Sequence, residues 1–517
     1  MQKKFKTENI LQILALLGIV YCIFLMNSKA ADLPTADLGR HIMNGKIILG
    51  SFFSGNHEVL KAIFHNNLYS YTQPEHGFVN HHWLSGVFYY LVEKYSSLTV
   101  LTFLNVLMIA LANFFFFRSA QILSNTNLAL FITTISLPIT CIRSEVRPET
   151  ISYLLLGILI YSLVLFDQKK ISFKYLLIAA LIIQLLWINF HIFFFLGLFS
   201  MFCFGVKYLI EKDSERIKQF LMLGGACALI SLLNPHGFVG LFYPLKIFDG
   251  YGYMTAENQS VFFMQKRSPY VLSYYYYELL CILGLLTSFL NRKNLNIALV
   301  IITVCFVILG LKTNRAMTLG AFALIPLLAF NLSFYSILAK KHSYKTLVFT
   351  LVLLSFFTYF YSTKVGKKVT DFQFNSSVNK TADFFKRNNI QGPIFNNFDI
   401  GGYLIYHLFP QRRVFVDNRP EAFSEEFMQD VYLKALKDEA TWLALDKEMD
   451  FNVIFFYRHD MTEHGQPFLI RRIEDPLWIP VAVDASNIIL LKDNARNKEL
   501  IKRYQLPQSM FRAVKTN

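Results

Sequence analysis

The sequence has no Walker A motif, no GxGxxG followed by an acid, no GxSxG elbow and no protein-kinase signature. Nucleotide-dependent chemistry is therefore not indicated. Cysteine is scarce and confined to apolar runs, at Cys22, Cys141, Cys203, Cys227, Cys281 and Cys305. None follows residue 305, which excludes a disulfide framework or a thiolate metal site in the polar C-terminal part. Charge is thin as well: Asp, Glu, Lys and Arg make up 16% of the chain, against about 25% in soluble domains. No internal repeat or low-complexity tract is present.

What remains is apolar. Hydrophobic residues are 54% of the 517, with 52 phenylalanines, the composition of a polytopic membrane protein with a soluble appendage. Apolar runs long enough to span, or nearly so, fall at about 9–27, 98–117, 127–142, 148–166, 174–190, 192–210, 217–233, 271–290, 294–311, 316–334 and 345–362. That gives about eleven transmembrane helices. Lys3, Lys4 and Lys6 resemble the basic start of a signal sequence, and Ser28-Lys29-Ala30 a cleavage site. The first run is long enough to span and reads as an uncleaved anchor. Residues 83–93 are too short for a comfortable span and read as an interfacial helix, with Trp83, Tyr89 and Tyr90 in the aromatic belt.

The formal net charge of +15 admits a nucleic-acid partner, but its distribution favours a membrane explanation. With the N-terminus inside, segments near 1–9, 118–126, 167–174, 207–218, 291–294 and 340–345 hold 16 Lys and Arg in about 48 residues. The opposite loops hold about 12 in about 119. That is the sign the positive-inside rule requires. No nucleic-acid partner is expected, and the bilayer is the first partner. Residues 1–363 then form a membrane domain with an outer loop at 29–97, and 364–517 an extracytoplasmic domain. In the latter, the β-rich runs GPIFNNF, RRVFVDNR, FNVIFFYR, IPVAVD and IILLKD alternate with helical patterns at 379–388 and 421–447, an α/β reading.

This threading puts the unusual polar residues at helix ends on the outer side: Arg143, Glu145, Arg147, Glu149, Asn189, His191, Asn234, His236, Lys312 and Arg315. Ionisable groups at membrane depth are costly unless they face a cavity or a partner. As a set they suggest one polar cavity opening outward; singly, each is an ordinary helix-end residue. Tyr243, Tyr251 and Tyr253 in the loop 235–270 suit a sugar, a lipid chain or an interface belt equally.

The loop at 29–97 carries Asp32, Asp37, His41, Glu75, His76, His81 and His82. Asp37 and His41 are four apart on a helical pattern and share a face. Asp37 is the best base candidate for a group transfer, alone or with His41, and the pair would also suit one hard metal ion. A helix cap is the competing role for Asp37. Arg143, Arg147, Lys312 and Arg315 are candidates for holding a phosphate. The alternative for Arg143 and Arg147 is pairing with Glu145 or Glu149. Glu75, His76, His81 and His82 could bind a ligand or metal, but zinc sites favour spacings such as HxxxH or CxxC.

With these residues in view, the chain resembles GT-C-type polytopic membrane glycosyltransferases, in particular a bacterial branch. The pieces are ADLGRHIMNGKIIL, NLYSYTQPEHGFVNHHWLSGVFYYL, RSEVRPET, WINFH, LLNPHG and NFDIGGYLIYHLFPQRRVFVDNRPE, in order along the chain. Protein O-mannosyltransferases, oligosaccharyltransferase catalytic subunits and the aminoarabinose transferase of lipid A share the plan. The resemblance implies a GT-C-like membrane fold at the bacterial inner membrane. It implies a polyprenyl-phosphate-linked sugar donor, a glycan, lipid or protein acceptor, and a catalytic acid in the first outer loop, which maps to Asp37 beside His41. A divalent cation, magnesium or manganese, would accompany the paired acids of many relatives. Here Ala36 precedes Asp37, and the HHW segment lacks the prolines some relatives carry. His191, His236, Glu75, His81 and His82 join the arginines as substrate-side candidates, and Asp399, Asp417 and Arg419 as acceptor-side ones. Two other readings stay open: a transporter or flippase, and a non-catalytic envelope assembly protein on the same scaffold.

Overall fold

The computed structural model describes residues 2–35, 37–247, 252–253, 255–334, 343–365, 374 and 376–511. Tyr251 and residues 340–342 of the expected cytoplasmic segment lie outside them. The chain divides into two compact units. One comprises 1–30, 99–244 and 254–372, the other 31–98, 245–253 and 373–517.

Every expected apolar run is a helix. They are Gln2–Asn27, Leu98–Leu123, Thr126–Thr140, Glu149–Asp167, Phe173–Phe190, Phe195–Ile210, Ser214–Ile230, Leu272–Leu290, Ile297–Lys312, Met317–Ser333 and Ser343–Val365. Among the described residues, seven helices are long and apolar enough to cross a membrane by length and composition, against the eleven expected. Thr126–Thr140 and Ile297–Lys312 are shorter apolar helices. Side-chain caps fix several starts: Asn125 accepts from the Leu128 amide, Asp213 from Arg216 and Asn296 from Leu299. The outer faces carry Ile13, Leu17, Leu285, Phe289, Val352 and Phe356, each more than half exposed. Apolar exposure on this scale suits lipid, not water. The chain is a multi-pass membrane protein.

The second unit joins the first polar loop to the C-terminal segment. Its sheet has the order β1-β2-β4-β3, built from β1 (Ile394–Asn396), β2 (Val453–Tyr457), β3 (Trp478–Val483) and β4 (Asn487–Lys492). β1 runs parallel to β2, and the other pairs are antiparallel. Four of the five expected β-rich runs are therefore strands. The fifth, RRVFVDNR, is extended but pairs elsewhere. The Val414 amide donates to Tyr69 O at 3.0 Å, and the Tyr71 amide donates to Val414 O at 3.1 Å. Ser70 and Thr72 hydroxyls both donate to Phe415 O. The first loop supplies the backbone partner that the sheet does not.

Residues 83–93 are part of a helix, Trp83–Tyr95. It packs on the Leu38–Ser54 helix through two glycines. A Cβ built on Gly45 would lie 2.1 Å from Gly86 O, and one on Gly86 would lie 2.7 Å from His41 O. The start of the Leu38–Ser54 helix is equally close to the Gly401–Leu408 helix, where a Cβ on Gly39 would lie 2.7 Å from Gly402 O. Backbone meets backbone at both points, and only glycine fits. Gly45→Ala should therefore cost about 1–3 kcal/mol of stability through overpacking. A thermal scan of the purified protein followed by size exclusion reads it as a lowered midpoint, and an unchanged midpoint would contradict the packing.

Candidate functional site

Asp37 immediately precedes the Leu38–Ser54 helix, at its N-cap position, and its side chain makes no cap hydrogen bond. The capping role left open by the sequence is not the one it fills. Asp32 contrasts with it: its carboxylate accepts from the Thr35 amide at 3.2 Å and from the Thr35 hydroxyl. One acid is used in a local turn, while the other stays available and partly exposed, with 27% of its side chain accessible. Arg40, on the first turn and buried, brings Nη2 to 3.9 Å from Asp37 Oδ1. His41, one residue on and 1% exposed, meets the rings of His82 at 5.4 Å and Tyr89 at 6.0 Å. His81 stacks obliquely on His82 at 3.8 Å. The glycine contact between the two helices brings these imidazoles together.

Glu75 is not part of that group. It lies on an exposed turn and accepts from Asn66 at 3.2 Å. Among the described residues no three His, Cys, Asp or Glu side chains gather as a metal site.

The C-terminal segment contributes the other side of this cluster. Asp417 and Arg419 are 0% and 2% exposed, and they pair bidentately at 2.7 and 2.6 Å. Arg419 also donates to Asn67 Oδ1 at 2.6 Å and lies over the rings of Phe78 and Tyr69, at 4.5 and 5.2 Å. Asn67 in turn donates to Ala422 O at 2.8 Å. The pair thus staples loop 67–78 to the segment 414–422. Asp399 lies in a short 3-10 turn, partly buried, and acts electrostatically on Tyr253 and Tyr432.

Sequence reasoning passed over Glu421. It follows Pro420 in a 3-10 turn, and its carboxyl lies within electrostatic reach of Arg40, Arg419 and Asp37. Burial pushes this carboxyl above its ordinary range. A backbone hydrogen bond, Arg40 and Arg419 oppose the rise, and Asp37 adds to it. Its only signal in the sequence was its place at the end of VFVDNRPE.

The membrane unit has its own charged group. Arg143 binds Glu149 at 3.2 Å and Glu257 at 2.9 Å. Arg147 binds Glu257 at 3.0 Å and Glu145 at 2.7 Å. Arg315 pairs with Glu149 and reaches Asn258 at 3.4 Å. The turn that carries Glu257 is pinned where Asn314 donates to Gln259 O at 2.9 Å and Ala256 O at 2.8 Å. Three of the expected phosphate cations converge, and the alternative pairing with Glu145 and Glu149 is realised as well. Glu257, in the outer loop 235–270, is the member to which the sequence assigned no role. Lys312 is exposed and outside this cluster. His191 shares a 2.7 Å hydrogen bond with Ser152, which also accepts from Trp187 at 2.7 Å. His236 begins a short helix, its amide donating to Asn234 at 2.8 Å.

No protein-family model matches the chain, and no curated protein matches it in sequence. Solved structures do match in fold. The archaeal oligosaccharyltransferase AglB from Archaeoglobus fulgidus, in complex with an inhibitory peptide and a dolichol-phosphate, superposes with a TM-score of 0.60. The identity is 11%, over 93% of this chain and 74% of that one. ArnT from Cupriavidus metallidurans, bound to undecaprenyl phosphate, gives a TM-score of 0.52 at 12% identity, over 95% and 99% of the two chains. Both are GT-C glycosyltransferases. The chain has the GT-C membrane fold, as the sequence resemblance implied.

Burial pushes the Glu257 carboxyl up, but Arg143, Arg147 and Arg315 outweigh it and bring it down to about 2 from 4.5. A carboxyl depressed on folding stabilises the protein above its unfolded pKa, and that stability is lost as pH falls through the folded value. Glu257→Gln should thus lower stability by about 1–3 kcal/mol at neutral pH. The gap to wild type should close between pH 4.5 and about 2. Thermal midpoints of both proteins across that range test it; a gap independent of pH would refute the assignment.

Proposed function

We propose that the chain is a membrane glycosyltransferase. It moves a sugar from a polyprenyl-phosphate donor to a glycan, lipid or protein acceptor on the outer face of the bacterial inner membrane. Its N-terminus is cytoplasmic and its C-terminal domain extracytoplasmic. One observation carries the reading: the first-loop acid, Asp37, heads a helix yet is not used in capping it, on a fold shared with lipid-phosphate-binding transferases.

In this reading Asp37 is the base. The acceptor hydroxyl gives its proton to the Asp37 carboxylate as its oxygen bonds to the anomeric carbon. The bond from that carbon to the phosphate oxygen breaks, and the phosphate leaves with the electron pair. Arg143, Arg147 and Arg315, held by Glu149 and Glu257, are assigned to phosphate binding. His41, buried against His82 and Tyr89, holds the helix start that carries Asp37. His81, His191 and His236 are assigned to substrate positioning, and Asp399 to the acceptor side. Asp417 and Arg419 serve that side by holding loop 67–78 in place.

Asp37→Asn should reduce transfer by about 10²–10⁴-fold, the range for removing a general base. The variant should express, insert and melt as wild type does, since the carboxylate caps nothing. The assay is glycan transfer from polyprenyl-phosphate sugars in proteoliposomes, alongside the lipid-linked intermediates of cells with and without the gene. Full activity in Asp37→Asn would remove Asp37 from the mechanism.

A further inference from the structure

The resemblance brings with it a divalent cation, and the residues around Asp37 do not suit one. A dication there would bond carboxylate oxygens at roughly 2.0–2.6 Å. It would then face the guanidinium of Arg40, whose Nη2 is already 3.9 Å from Asp37 Oδ1. A dication and a guanidinium sharing one carboxylate repel each other, the more so where burial limits screening. The second acid that relatives carry beside the first is replaced in this sequence by Ala36.

Arg40 itself needs explaining. A cation on the first turn of a helix is disfavoured by the helix dipole. This one is also 4% exposed, and its Nε has no hydrogen-bond partner. Buried charges of this kind require anionic company. The nearby Asp417 is taken, because it is matched bidentately to Arg419. That leaves Asp37, on the same turn, as the carboxylate within ion-pair distance of Arg40 among the described residues. The pairing is then one to one: Arg419 with Asp417, and Arg40 with Asp37.

We propose that Arg40 is the resident cation of the Asp37 site, standing where a divalent ion would otherwise be held. Arg40 keeps Asp37 in place. It is a positioning residue acting through Asp37. Its relevance to catalysis rests on the transferase reading; the cation assignment does not.

The test uses the full chain in nanodiscs and manganese(II) followed by electron paramagnetic resonance. Wild type and Asp37→Asn should titrate identically, with no site that depends on Asp37. Folded Arg40→Gln should gain a manganese site that Arg40→Gln/Asp37→Asn loses. A wild-type site removed by Asp37→Asn, or no gain in folded Arg40→Gln, overturns the proposal. Should Arg40→Gln not fold, the wild-type titration and an EDTA assay decide. Transfer unchanged within twofold after EDTA supports it, and loss restored by magnesium or manganese overturns it. Wild type inactive toward every polyprenyl-phosphate sugar tried would remove the transferase reading, while the manganese titration would still decide the role of Arg40.

Discussion

A charge taken out of water must find its opposite, and this chain obeys that constraint almost everywhere. Asp167 is met by Lys207, Arg216 at 3.8 Å and the Tyr208 hydroxyl at 2.9 Å. Arg143, Arg147 and Arg315 are met by Glu145, Glu149 and Glu257. Arg419 is met by Asp417. The first two groups join segments distant in sequence, and Arg419 does so through Asn67, so each also fixes the fold. Removing one partner strands the other, and for that reason such networks resist substitution one residue at a time. Arg40 is the loosest match among these buried arginines, and it lies beside the acid assigned to the chemistry.

The helices were legible because hydropathy reports them directly. A run of apolar residues has few alternatives to a helix when its backbone must satisfy itself. Four strands were legible for a similar reason: Val453–Tyr457 is a continuous β-branched and aromatic run, and Asn487–Lys492 has an unbroken apolar centre. RRVFVDNR has the composition of a strand and is not in the sheet. Its partner is loop 69–72, more than 300 residues away, and composition says nothing about which edge a run will find.

The site was legible in part. Asp37, His41, Arg143, Arg147 and Arg315 stand out as polar residues at the edges of apolar runs. Glu257 and Glu421 do not, because each lies in a polar stretch where a carboxylate is unremarkable. Their roles come from the cations they meet: Glu257 from Arg143 at 2.9 Å, Glu421 from the field of Arg40 and Arg419. The reverse holds for Asp417 and Arg419. A strand-end Asp and Arg read as a binding pair, yet full burial turns them inward upon each other.

Identity of 11–12% alongside TM-scores of 0.52–0.60 means that very different sequences reach this fold. A helix face against lipid accepts any apolar side chain, so hydropathy keeps the fold while residues drift. Positions defined by contact are less free. Gly45 and Gly86 touch backbone to backbone, and any side chain at either point would part the helices that hold His41 against His82. Asp37 is constrained differently. Its carboxylate caps nothing, and the group it meets is the buried guanidinium of Arg40, so what the fold asks of this position is a negative charge, not a helix cap.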